Sequence, residues 1–279
     1  MKTYHFTQNC HLPKVFLATQ ICLAILYTIS LSGCGKLKEN ALSNLGGKVQ
    51  VVHGNIVFIG LAKSKVTDAD LAHIQNLEFV ENIDLGDSQI TDAGLTHLKN
   101  LSKLTRLRLS NSKITDGVFK NLDQLKGLQY LFLDNTEVTG SGLTDLKTLR
   151  QSLHILHLSS CPVTDDTLVP LKNFHRLTNI FLNDTQITDA ALVHVKAMEN
   201  IEELAASNTQ ITDAGLVHLA HMKILLSLNL SGTQITDEGL VHLEEAPRLS
   251  ELIIVGTQVT AEGVAAFREK QPECNVTWQ

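Results

Sequence analysis

The sequence predicts an α/β solenoid, a horseshoe with a row of short parallel strands on its concave face and short helices on its convex face. Three observations predict it. An Ile/Val-Thr pair recurs at Val66, Ile90, Ile114, Val138, Val163, Ile187, Ile211, Ile235 and Val259, and every interval is 24 residues except one of 25. Within each interval, apolar residues two apart, such as Leu107 and Leu109, mark a short strand with one face buried. Apolar residues three apart then follow, as at Phe119, Leu122 and Leu125, and mark the inner face of a short helix. Self-similarity at such a period is the signature of units that bury their apolar face only by stacking on one another.

The elements follow in chain order. Residues 1–14 carry Lys2 and Lys14 and no acid, and an apolar run from Val15 ends at Gly33. A basic start and an apolar run read as a secretory signal. The closing Leu31-Ser32-Gly33-Cys34 resembles the box of bacterial lipoproteins. That resemblance implies cleavage after residue 33, acylation of Cys34 by diacylglycerol and palmitate-type chains, and a protein held at the cell envelope by a lipid anchor. The alternative is an uncleaved membrane-spanning anchor, since the run is about long enough to cross a bilayer. Residues 34–47 are polar and Gly-rich and read as a tether plus an N-terminal cap, with a short helix around Glu39 to Leu45. Residues 48–279 hold the repeats.

The repeat domain opens on a hairpin from Val49 to Leu61, turning at His53-Gly54-Asn55 and capping the first unit. Each unit then reads L-x-x-L-x-L-x-x-T-x-I-T-D-x-G-L. The threonine of the marker pair suits a helix N-cap, and the following aspartate suits the positive helix end. Glycine recurs four residues after the marker, at Gly94, Gly142, Gly215, Gly239 and Gly263. Two explanations are open: close approach of helix to sheet, or a flexible turn. Two residues before the marker stands a small polar residue, Ser, Thr or Cys161, placed to bond loop backbone that burial would otherwise orphan. The additional residue of the 25-residue interval falls near Arg150 to Ser152, in an expected loop. At the far end Val276 and Trp278 form a truncated strand, with Trp278 covering the open core.

This pattern resembles the leucine-rich-repeat family, in its T-x-I-T-D-x-G-L subtype, over roughly residues 56–279. The resemblance implies a binding scaffold that presents its sheet to a protein, peptide or glycan. Strands stack at ~4.8 Å and helices at ~8–10 Å, so the sheet is the shorter, concave side. Side chains flanking each inward leucine point into that concavity. Tyr130, Phe132, Ile155, His157 and Phe181 come from three consecutive units there and form an expected exposed apolar-aromatic patch. Arg106 and Arg108 border it, Glu203 lies beyond it, and Arg108 and Asp84 are placed to pair.

Composition narrows the function. The formal net charge is −6, with 43% hydrophobic and 5% aromatic residues. An acidic chain without a basic stripe gives no nucleic-acid partner. Its five cysteines show neither disulfide-framework nor zinc spacing. His73, His97, His194, His218 and His242 share one helical position, but neighbouring helices ~8–10 Å apart cannot bring three of them within metal-ligand reach. No nucleophile elbow, phosphate loop or catalytic carboxylate pair is present, so no enzyme, metal or cofactor is expected. The expected function is an exported, lipid-anchored repeat protein that binds a protein, peptide or envelope ligand through its concave face. The alternative is a purely structural envelope component.

Overall fold

A computed structural model describes residues 39–220 and 222–279. The signal segment, the membrane-anchor alternative and Cys34 lie outside the described residues. No helix among the described residues is long and apolar enough to cross a membrane.

Eleven strands form one sheet in strict chain order. They are β1 (Lys48–Val52), β2 (Asn55–Gly60), β3 (Asn82–Asp84), β4 (Arg106–Arg108), β5 (Tyr130–Phe132), β6 (Ile155–His157), β7 (Asn179–Phe181), β8 (Glu203–Ala205), β9 (Ser227–Asn229), β10 (Glu251–Ile253) and β11 (Asn275–Thr277). β1 and β2 are antiparallel and every later neighbour is parallel. In each unit strand, β3 to β10, the middle residue is buried and pairs with the middle residue of the next strand, as Leu131 with Leu156 and Leu156 with Ile180. The leucine two positions on, such as Leu133 or Leu158, is buried as well. These pairs and the inner residues of the helical side make one continuous core that runs the length of the described chain.

The ends are closed as the sequence predicts. Helix α1 (39–44) puts Leu42 into the core. β1 and β2 are joined through His53 and Gly54, both at positive φ (49° and 80°), the geometry of a two-residue hairpin loop. At the C-terminus β11 pairs with β10, and Trp278 packs partly buried against the core.

The helical side departs from expectation. Three of the first four units carry 3-10 helices, Asp68–His73, Gly94–Leu98 and Ser141–Asp145, and so does the fifth, Asp165–Asn173. The hydrogen bonds of the first unit show the pattern. Leu71, Ile74, Leu77 and Val80 are each three apart, and each N–H bonds the carbonyl of the one before at 3.0–3.1 Å. Bonds that close at three residues are the 3-10 repeat, which this apolar period permits without requiring it, since Phe119, Leu122 and Leu125 share the period in an α-helical unit. Pro170 reinforces this in the fifth unit by removing a donor. Short α-helices stand at α2 (Val118–Leu122), α3 (Asp189–Val195), α4 (Asp213–Leu216) and α5 (Asp237–Leu243), and the longest, α6 (Ala261–Lys270), closes the array. In α3 Ala191, Leu192, Val195 and Met198 are buried, and the Lys196 N–H reaches the Leu192 carbonyl at 3.0 Å, the four-residue bond of an α-helix. The additional residue of the 25-residue interval is absorbed by a 3-10 turn, Leu149–Gln151, and not by a loop. Asp123 Oδ1 holds that turn by accepting the N–H groups of Lys147, Thr148 and Leu149 at 3.0, 2.7 and 3.2 Å.

Units are clamped to one another by the Thr-Asp pair. The threonine hydroxyl does accept a helix N–H, as Thr188 from Ala190 at 3.3 Å. The aspartate, expected to serve its own helix, instead reaches the next unit. Asp189 accepts the N–H and hydroxyl of Thr212 at 2.8 and 2.7 Å, and Asp213 does the same for Thr236 at 2.8 and 2.7 Å. Asp68, Asp92, Asp116, Asp165 and Asp237 repeat the arrangement. One junction departs from it. Gly140 stands where the fourth unit needs its aspartate, and Thr167 bridges instead by donating to the Thr139 carbonyl at 2.7 Å. At Gly94, Gly215, Gly239 and Gly263 the recurring glycine makes room for the clamp aspartate, whereas Gly142 faces the Phe119 side chain. A Cβ on Gly215 would stand 2.4 Å from Asp189 Oδ1, and one on Gly239 would stand 2.2 Å from Asp213 Oδ1.

The small polar residue before the marker behaves as predicted. Thr136, Thr185 and Thr233 donate to the carbonyl three residues earlier at 2.6, 2.7 and 2.6 Å. Cys161 is the variant member: its thiol bonds the Leu133 carbonyl of the preceding unit at 3.1 Å. Burial pushes this thiol pKa up, as suits a structural role. The residue before that ladder is left-handed in every unit. Asp, Asn or Gly fills the position except at Lys63 (φ 58°) and Ser160 (φ 57°). Ser160→Gly is therefore expected to stabilise the fold by about 0.5 kcal/mol, as the left-handed cost slightly exceeds the entropy cost of glycine. A raised urea midpoint checks it.

Candidate interaction face on the concave sheet

Parallel register turns the repeat into rows across the sheet. Arg106, Tyr130, Ile155, Asn179 and Glu203 form one row, and Arg108, Phe132, His157, Phe181 and Ala205 form the next. All seven residues singled out from the sequence therefore meet on β4 to β7. Each inward leucine holds its strand in register, and a slip of one residue would turn these side chains into the core.

Within the patch the rings pack on one another. Phe132 and His157 have ring centroids 4.5 Å apart, and His157 and Phe181 are stacked at 3.9 Å with planes 10° apart. The Arg106 guanidinium lies over Tyr130 at 4.7 Å and within 5.8 Å of Phe132. Because of this packing the patch is half-buried, not fully exposed as expected, while Arg106 and Arg108 stay exposed. The stack runs from strand to strand, so the ring faces between Phe132, His157 and Phe181 meet each other.

Asp134, two residues beyond Phe132, is the participant that composition did not reveal. Its Oδ1 lies 3.6 Å from His157 Nδ1 and accepts the Ser159 N–H at 3.1 Å, and its Oδ2 accepts the Ser110 hydroxyl at 3.2 Å. Burial works against ionisation of this carboxyl, but the hydrogen bond and charge of His157, with those two donors, outweigh it and hold the pKa below the usual value. A carboxylate favoured in the folded state stabilises above its unfolded pKa, and that contribution is lost as pH falls through the folded pKa. Asp134→Asn is expected to flatten the fall in stability below about pH 4, checked by urea titrations from neutral pH downward.

The arginine–aspartate pair expected within the second row does not form. Asp84 Oδ1 accepts the Gly86 N–H at 3.0 Å, and no ion pair links it to Arg108. Glu203, at the other border, accepts from the Asn179 amide. The histidine column lies on the helical side, and among the described residues no group of three or more His, Cys, Asp or Glu could hold a metal.

The family model described as Leucine Rich repeat matches residues 151–171 and 221–243. Among curated proteins no sequence matches the chain. Of the solved structures, a plant ice-binding protein is similar at 16% identity, covering 89% of this chain and 84% of its own, with a TM-score of 0.55. An internalin C2 from Listeria monocytogenes str. 4b F2365 is 21% identical over 88% of this chain and 92% of its own, with a TM-score of 0.49. A second internalin from that strain is 18% identical over 86% and 94%, with a TM-score of 0.41. Identities of this size speak for fold alone.

Proposed function

We propose that the chain is a leucine-rich-repeat protein, from its stacked fold and the family model that matches residues 151–171 and 221–243, and that it is an exported, lipid-anchored binding scaffold whose concave patch docks a protein, peptide or other envelope ligand. Leucine-rich-repeat proteins are in general binding scaffolds and not enzymes, and protein–protein interaction is their general role. The observation that carries the specific reading is the Phe132–His157–Phe181 stack beside Arg106 and Tyr130. Aromatic and arginine clusters with a polar border are what hot spots consist of. A fold stabilised by leucine pairs alone has no need of rings on its outward sheet face. The anchor part of the proposal rests on the Leu31-Ser32-Gly33-Cys34 pattern.

Capture from envelope extract by the tagged full chain, beside a Tyr130/Phe132/Phe181 triple-alanine version, tests the patch. Loss of the captured partner in the triple variant is the expected result, and equal capture would favour a structural envelope role. For the anchor, Cys34→Ser is expected to release the protein from membranes and to lower its mass by the lipid. Unchanged fractionation with an unchanged mass would reject it.

A further inference from the structure

Resting on the docking role just proposed, we infer that the partner is an acidic peptide segment that presents a carboxylate to Arg106 and Arg108 and an apolar side chain to the ring edges of the patch. Four observations carry this. The two arginines stand two residues apart on β4, on the same face of the sheet, so like charges sit side by side. Among the described residues neither guanidinium donates to a protein acceptor or forms an ion pair. Asp84, the carboxylate in the neighbouring row position, is engaged by the Gly86 N–H. The Arg106 guanidinium carbon lies 4.7 Å from the Tyr130 ring centroid, a contact that uses none of its N–H donors, so they can take a carboxylate in two parallel bonds.

The rings favour a peptide over a sugar. A pyranose docks on an open aromatic face, but Arg106 lies over Tyr130, and His157 is covered on both sides by Phe132 and Phe181. Apart from the side of Phe181 toward Ala205, the stack offers ring edges, which carry the positive end of the aromatic quadrupole and favour a nearby anion.

The test uses the full chain and three blocked tetrapeptides, Asp-Phe-Asp-Phe, Asn-Phe-Asn-Phe and Lys-Phe-Lys-Phe, with oligogalacturonate as a carboxylate-bearing glycan. Affinity is read by titration calorimetry and position by amide shifts of β4 to β7. The expected result is at least tenfold tighter binding of the aspartyl peptide than of the asparaginyl one, weakening with salt. Arg106→Gln with Arg108→Gln should erase that preference without unfolding the sheet, and Asp84→Asn should strengthen it by removing a negative charge beside the site. Equal affinity for all three peptides, with shifts at β5 to β7, would overturn the carboxylate inference and leave the docking role standing. Oligogalacturonate binding as tightly as the aspartyl peptide would overturn the peptide assignment. No binding by any probe, while the triple-alanine chain still captures its envelope partner, would overturn both.

Discussion

Leu156→Ala is expected to remove about 3–4 kcal/mol of stability and to split unfolding into two transitions. Leu156 is fully buried at the centre of β6 and pairs with Leu131 on one side and Ile180 on the other. Truncation leaves a cavity that short strands held by neighbours on both sides cannot collapse. In a linear array each unit is stabilised only by those adjacent to it, so the damage concentrates at one place. Trp278 is the only tryptophan of the chain and sits at the C-terminal cap. Its fluorescence should follow the C-terminal units, while circular dichroism follows the whole. The variant should lose dichroism at lower urea than it loses the tryptophan signal. Coincident curves would mean that the array unfolds as one unit and that stacking is not nearest-neighbour in character.

Asp213→Ala should cost about 2–3 kcal/mol, although the residue is not part of the hydrophobic core. It removes the acceptor for two donors of Thr236, the N–H and the hydroxyl, and both bonds are charge-assisted. Thr236 is also the N-cap of α5, where its hydroxyl accepts from Glu238. Losing the aspartate therefore loosens both a junction and a helix start. Asp213→Asn keeps one acceptor oxygen and should lose about half as much. A double-mutant cycle with Thr236→Val separates the pair from its surroundings, and a coupling near zero would assign the loss to helix charge alone. Both predictions are read by urea denaturation.

Much of the fold was legible because burial and period coincide. Leu107 and Leu109 can satisfy a half-buried strand only in one register, and that register brings Tyr130, Phe132 and Phe181 to one face. The clamp was not legible, because a Thr-Asp pair at a helix start reads the same whether the carboxylate serves its own helix or Thr212 in the next unit. Distinguishing the two needs the distance between neighbouring units, which no single unit encodes. The 3-10 helices were not legible, because the three-residue spacing of Leu71, Ile74 and Leu77 recurs at Phe119, Leu122 and Leu125 in an α-helical unit. At the patch, backbone placement followed from the repeat, whereas rotamers did not. Whether Asp84 turns to Arg108 or to Gly86 depends on which donor lies closer, and Asp134 is tied to His157 only through the bend after β5.

The junction that lacks its aspartate, between the fourth and fifth units, has a mechanical consequence. Every other described joint resists bending through a charged tie on the convex side, so the compliance of the horseshoe concentrates at Gly140. That weak point lies behind β5 and β6, beneath the stacked rings. A partner wedged among those rings would strain the arc where it is softest, and a chain pulled from its two ends would part there first.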